Sequence, residues 1–222
     1  MSDMESGVLT GVVISTAEAG EYDRRVTLIT GERGLVTAFA RGARRQNSRF
    51  LSSTSPFTFG RFKVNQGRNS SSIAEVDVID HFDPLKHDLS SVAYASYLLE
   101  LSGYFSQEDM EADETIRLIY MSFRALESPG LDDRLVRRVF EIRTLINEGI
   151  YPGPGNDRHS GSFYKALSHI ESAPVESLYT FRVSDEVMEE LSGFGDSLIR
   201  RYVDRPLKTA ESISLLLANG AP

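Results

Sequence analysis

Cysteine is absent from all 222 residues. Disulfides, thiolate nucleophiles and cysteine-held metals are therefore excluded. No apolar run reaches the roughly 18 to 20 residues that a membrane-spanning helix needs. Residues 1–7 (MSDMESG) carry acid where a secretory leader needs base and then an apolar stretch, so a cytoplasmic protein is expected. No phosphate loop, no G-x-S-x-G and no Rossmann glycine pattern occurs. The only histidines are His81, His87, His159 and His169, and none shares a helical turn with another. No metal and no cofactor are expected. The acid pairs Asp132–Asp133 and Glu189–Glu190 fall on helical stretches, where solvated faces account for them better than a general acid/base couple does. An enzyme is not expected.

Base is also scarce overall. Lys and Arg number 24 against 32 Asp and Glu, a net charge of -8. A binder of nucleic acid usually shows the opposite balance. The average hides an asymmetry, however. Residues 33–68 contain Arg33, Arg41, Arg44, Arg45, Arg49, Arg61, Lys63 and Arg68 and no acid at all. At the chain's frequency of 32 acids in 222, about five would be expected there. Residues 1–80 hold ten bases and nine acids, and the rest holds 14 bases and 23 acids. Seven of the eight bases in the window are arginine, which forks two hydrogen bonds onto a phosphate and stacks on bases. Phe39, Phe50, Phe57, Phe59 and Phe62 are interleaved with them. Cations with aromatic platforms suit single-stranded nucleic acid, although alternation should put most of these rings inside.

The chain changes period near residue 83. Before it, residues 8–15, 25–30, 35–40, 56–64 and 72–79 read as strands, the fourth bulged at Gly60. GERG at 31–34 is a hairpin turn, and residues 41–49 form a polar, basic loop. Five short antiparallel strands in about 80 residues suit an OB-fold barrel. After it, Asp88 or Ser90, Asp113 and Asp132 are candidate caps of three amphipathic helices ending near Phe105, Pro129 and Gly149. Residues 151–157 read as loop. Short helices are expected at 186–191, 198–203 and 212–217, with little periodicity between 158 and 185. The fold class is α+β, with an OB-fold domain at 1–82 and an α-helical domain at 83–222.

Several stretches in this order resemble the bacterial RecO family of DNA repair proteins. They are GEYDRRVTLIT at 20–30, GERG at 31–34, ARGARR at 40–45, PFTFGRF at 56–62, AYASYLLEL at 93–101, FEIR at 140–143, GIYP at 149–152 and RPLKTAES at 205–212. The resemblance implies an OB-fold on a helical domain and binding of single- and double-stranded DNA. It implies annealing of complementary strands, partnership with RecR and the acidic tail of single-strand binding protein, and help in loading RecA. Many members hold zinc with four cysteines after the third helix. Here residues 153–182 replace that region and have none. The expected DNA-binding residues are Arg41, Arg44, Arg45, Arg49, Arg61, Lys63 and Arg68, then Arg33, Arg25 and Arg24. By charge, Arg200, Arg201, Arg205 and Lys208 are the expected receivers of the acidic tail. The other reading is an OB-fold interaction module that docks an acidic partner, with incidental DNA contact.

Overall fold

A computed structural model describes residues 6–155 and 158–218. The first five residues, which carry most of the reading against a leader, lie outside it, as do Asn156 and Asp157 at the end of the expected 151–157 loop. The elements run β1 (Ser6–Ala19), β2 (Asp23–Thr30), β3 (Gly34–Ala40), α1 (Phe50–Ser53), β4 (Phe59–Gln66) and β5 (Ser71–Asp80). Next come α2 (Asp83–Lys86), α3 (Leu89–Phe105), α4 (Asp113–Leu126), α5 (Asp133–Asn147), α6 (Gly161–Ser172), a 3-10 turn at Val175–Ser177, α7 (Asp185–Tyr202) and α8 (Lys208–Ala218). No helix among the described residues is long and apolar enough to cross a membrane.

Contacts divide the chain into two compact units. One combines Met1–Asp83 with Ser102–Ile116, and the other combines Pro84–Leu101 with Arg117–Pro222. In the first, the strands close in the order β1-β2-β3-β5-β4, the OB-fold barrel. Alternation builds its interior: Val26 and Leu28 of β2 and Ala38 of β3 are fully buried, together with Val13 and Phe62. Two details differ from the sequence expectation. β3 and β5 pair in parallel, through Ala38 with Ser71 and Phe39 with Ser72, so the barrel is not wholly antiparallel. The strand expected from Pro56 begins only at Phe59, because Phe57 sits at φ 71°, outside the strand region. The bulge beside Gly60 is present, but its extra residue is Ile79 on β5. Gly60 itself is needed there, since a Cβ would lie 2.6 Å from the Asp77 carbonyl oxygen. A second irregularity leaves Ala74 unmatched in β5.

In the second unit the helices start where side chains can satisfy their free N–H groups. Asp88 Oδ2 accepts from the Ser91 N–H at 2.7 Å, Asp132 from Arg134 at 2.8 Å and Ser160 from Phe163 at 3.1 Å. Asp113 is the first residue of α4 rather than its cap. α6 carries no strong sequence signal, yet it forms with Phe163, Ala166, Leu167 and Ile170 buried. The two short helices expected at 186–191 and 198–203 are one helix, α7, running through Gly193 and Gly195. Gly195 is retained for contact with α5: a Cβ there would lie 2.8 Å from Glu141 Oε2.

Glu141 is the wholly buried centre of a polar network. It accepts hydrogen bonds from the Tyr97 hydroxyl at 2.5 Å, Arg137 Nε at 2.8 Å and Arg138 Nη1 at 2.9 Å. Burial pushes its carboxyl up, but the charges of Arg138 and Arg137 outweigh this and hold it below the usual carboxylate range. Arg138 also reaches Asp196 of α7 at 2.7 Å.

Candidate nucleic-acid interface

The basic loop is tied to the barrel at its start. The Gly42 N–H donates to Asp23 Oδ1 at 2.7 Å, the Arg44 N–H donates to the Tyr22 carbonyl at 2.9 Å, and Ala43 between them is fully buried. The loop then runs into α1, so residues 41–58 are not all irregular. Arg24 holds this short helix from below. Its Nη1 donates to the Leu51 carbonyl at 3.1 Å, the Thr54 carbonyl at 3.3 Å and Thr54 Oγ1 at 3.0 Å. With one nitrogen engaged three ways, Arg24 is part of the scaffold as well as of the expected cation set.

The remaining cations fall into three groups. Arg33 pairs with Asp109, Arg44 with Glu18 at 2.8 Å and Arg61 with Asp77 at 2.8 Å. A window without acid in sequence is thus partly neutralised in space by carboxylates from outside it. These pairs are exposed or half-buried, hence weak, and a phosphate can replace the carboxylate at little cost. Arg49 and Arg45 are braced without being neutralised. Arg49 donates to the carbonyl of the bulged Ala74 at 2.6 Å and lies 4.8 Å over the Phe50 ring. Arg45 lies 5.1 Å over the ring of Tyr22, itself 44% exposed. Arg25, Arg41, Lys63 and Arg68 are exposed and have no carboxylate partner among the described residues.

Of the interleaved phenylalanines, Phe50, Phe59 and Phe62 are buried. Phe39 and Phe57 are half-buried. Phe39 stands directly across from Arg25 in the β2–β3 pair, which puts a cation and a ring side by side on the outer face. Tyr22 was not among the expected site residues. Its only sequence signal is its place after the Gly20–Glu21 turn.

The other expected cluster lies at the end of α7. A cavity of about 320 Å³ is lined by Tyr97, Arg137, Arg200, Asp204 and Arg205, with Ile199, Val203 and Leu207 among its apolar walls. Arg201 and Lys208 do not line it. Arg201 lies 5.5 Å over Tyr202. The Lys208 N–H donates to Glu100 Oε1 at 3.0 Å, where Glu100 caps α8. Burial pushes the Glu100 carboxyl up, but hydrogen bonds from Thr209 and Lys208 outweigh this and hold it below its ordinary value. Arg137 was absent from the expected set, because on the sequence it reads as one more charge on a helix face.

Residues 4–82 match the family model "Recombination protein O N terminal". By its barrel, the chain belongs to the RecO family. Whole-length relatives agree. The DNA repair protein RecO of Clostridium novyi is 26% identical over 92% of each chain, and that of Acetivibrio thermocellus 23% identical over 93% of this chain and 96% of its own. The RecO of Anaeromyxobacter dehalogenans strain 2CP-1 is 36% identical over 67% of this chain and 59% of its own length.

In this RecO-family chain, aromatic rings pack together around α6 and α7. His159 stacks on Phe163 at 4.0 Å, and Phe163 and Tyr151 both meet Phe194 edge-on, at 5.6 and 6.4 Å. Arg143 of α5 donates to the carbonyls of Ile170 and Glu171 at the end of α6. Among the described residues no three His, Asp or Glu side chains converge as a metal site requires, so the residues present do not fit the zinc of other members.

Proposed function

We propose that the chain is a non-enzymatic recombination mediator in DNA repair. It binds single- and double-stranded DNA, anneals complementary strands and helps load RecA on DNA covered by single-strand binding protein. Family membership and the relatives' name, DNA repair protein, support this role. The observation that carries the DNA reading is the braced cation surface of the barrel. Arg41 and Arg45 stand on an anchored loop whose end Arg49 braces against Ala74 and Phe50, and Arg25, Lys63 and Arg68 stand on neighbouring strands and turns without a carboxylate partner among the described residues. Fixed cations lose little side-chain entropy on meeting phosphates, and Tyr22 and Phe39 offer faces for bases. Arg33, Arg44 and Arg61 join by exchanging a carboxylate for a phosphate, while Arg24 contributes through α1.

RecR and the tail of single-strand binding protein are the proposed protein partners, in the cytoplasm at the nucleoid. The cavity at the end of α7 supports the second: an acidic peptide with an apolar residue would find arginines and apolar walls together. The deciding experiment measures annealing of complementary strands, bare and coated with single-strand binding protein. Wild type should accelerate both. An Arg41→Ala/Arg45→Ala variant should lose the acceleration on both substrates. No acceleration of bare strands by wild type would refute the annealing role.

A further inference from the structure

Cations without partners gather at one more place among the described residues. A cleft of about 400 Å³ lies between one face of α6 and the extended segment that enters α7. Ser162, Lys165 and His169 come from α6 at three- and four-residue spacing, and therefore from one helix face. Phe181, Arg182 and Ser184 form the other wall, and no carboxylate lines the cleft. Lys165 and Arg182 are exposed and without a carboxylate partner among the described residues. The His169 ring is fixed by the Ser177 carbonyl, 3.1 Å from Nε2, and by Phe181, 4.7 Å away and tilted by 60°. The cavity at the end of α7 differs in that a carboxylate, Asp204, stands among its arginines. Here cations and hydroxyls stand on both walls without a carboxylate, beside the half-buried Phe181 ring and the apolar Ala166, Val183 and Val187, a set that suits a phosphate backbone with a base.

We propose that this cleft holds a second nucleic-acid strand during annealing, with phosphates at Lys165 and Arg182 and one base against Phe181. The proposal rests on the DNA reading of the barrel and extends it. Two cations contribute a salt slope of only about -1.4 on a single strand, so the site is weak alone. It acts when the barrel already holds the first strand and raises the local concentration of the complex. Weak retention suits a strand that must leave to pair with its complement.

The test uses the full chain with Lys165→Ala/Arg182→Ala. Single-strand affinity, read by fluorescence anisotropy, should stay within about twofold of wild type, while the annealing rate falls at least about fivefold. Arg182→Lys should retain most of the rate, because it keeps the charge. Unchanged annealing with unchanged binding overturns the second-strand site and leaves the barrel reading intact. Loss of acidic-peptide binding without loss of annealing overturns it too and gives the cleft to a protein partner. Absence of single-strand binding by wild type refutes the barrel reading itself. If the double variant does not melt cooperatively, Lys165→Gln is read against the same thresholds.

Discussion

The salt dependence of single-strand binding can be worked from the barrel surface. Each phosphate neutralised on a single strand releases about 0.7 of a counterion. Counting the ten expected cations from sequence alone predicts a slope of log affinity against log salt of about -7. The structure predicts less. Arg33, Arg44 and Arg61 already hold carboxylates, so they release one anion partner as they take another. Arg24 is spent on α1, and Arg49 on the Ala74 carbonyl and Phe50. Five cations remain available: Arg25, Arg41, Arg45, Lys63 and Arg68. The slope should then be about -3.5, and affinity should fall about 130-fold between 50 and 200 mM salt. Arg41→Ala/Arg45→Ala leaves three, a slope of about -2.1 and a fall of about 18-fold. Fluorescence anisotropy of a labelled oligonucleotide across four salt concentrations measures both. A wild-type slope near -7 would show that the paired arginines count as free. An unchanged slope in the variant would refute the loop as a contact surface.

Three further outcomes are expected. Glu141→Gln leaves Arg137 and Arg138 buried with a weakened partner, so urea unfolding should show a loss of about 3 kcal/mol or more, and a loss under about 1 kcal/mol would refute the network's role. Burial pushes the Asp133 carboxyl up to about 6, against an opposing hydrogen bond from Ser90 and with help from the charges of Asp88 and Asp132. The folded state thus holds this proton more tightly than the unfolded chain, and stability falls as pH rises from about 4 through 6. Asp133→Asn should therefore raise the melting temperature more at pH 7 than at pH 4, and an equal shift at both would be a refutation. Arg24→Ala removes the donor that holds α1, so protease cleavage near Leu51 should quicken and DNA affinity fall although no free surface cation is lost; unchanged cleavage would count against the clamp.

Much of the fold was legible because burial imposes a period. Val26 and Leu28 alternate with polar neighbours, and Asp88 and Asp132 cap the helices that follow them. Three features were not legible. Pairing direction leaves no mark on a strand's own pattern, so the parallel β3–β5 contact was hidden. Residues 192–197 separated two expected short helices, although packing against α5 favours a small residue at Gly195 inside α7. The acid-free window looked like a bare cationic surface because ion pairing is set by tertiary proximity, and Glu18, Asp77 and Asp109 lie outside the window. The candidate cations could be named from composition. Which of them are already engaged could not.

The parallel contact between β3 and β5 has a mechanical consequence. It joins only two residue pairs, whereas the β2–β3 register covers seven, so it is the seam at which the barrel would open first. Arg41 follows directly after β3, and Arg68 stands three residues before β5. A polyanion touching both would act as a suture across that seam. Binding should then slow amide hydrogen exchange at Phe39 and Ser72 while leaving the β1–β2 ladder unchanged, so that the ligand completes the closure of the barrel that holds it.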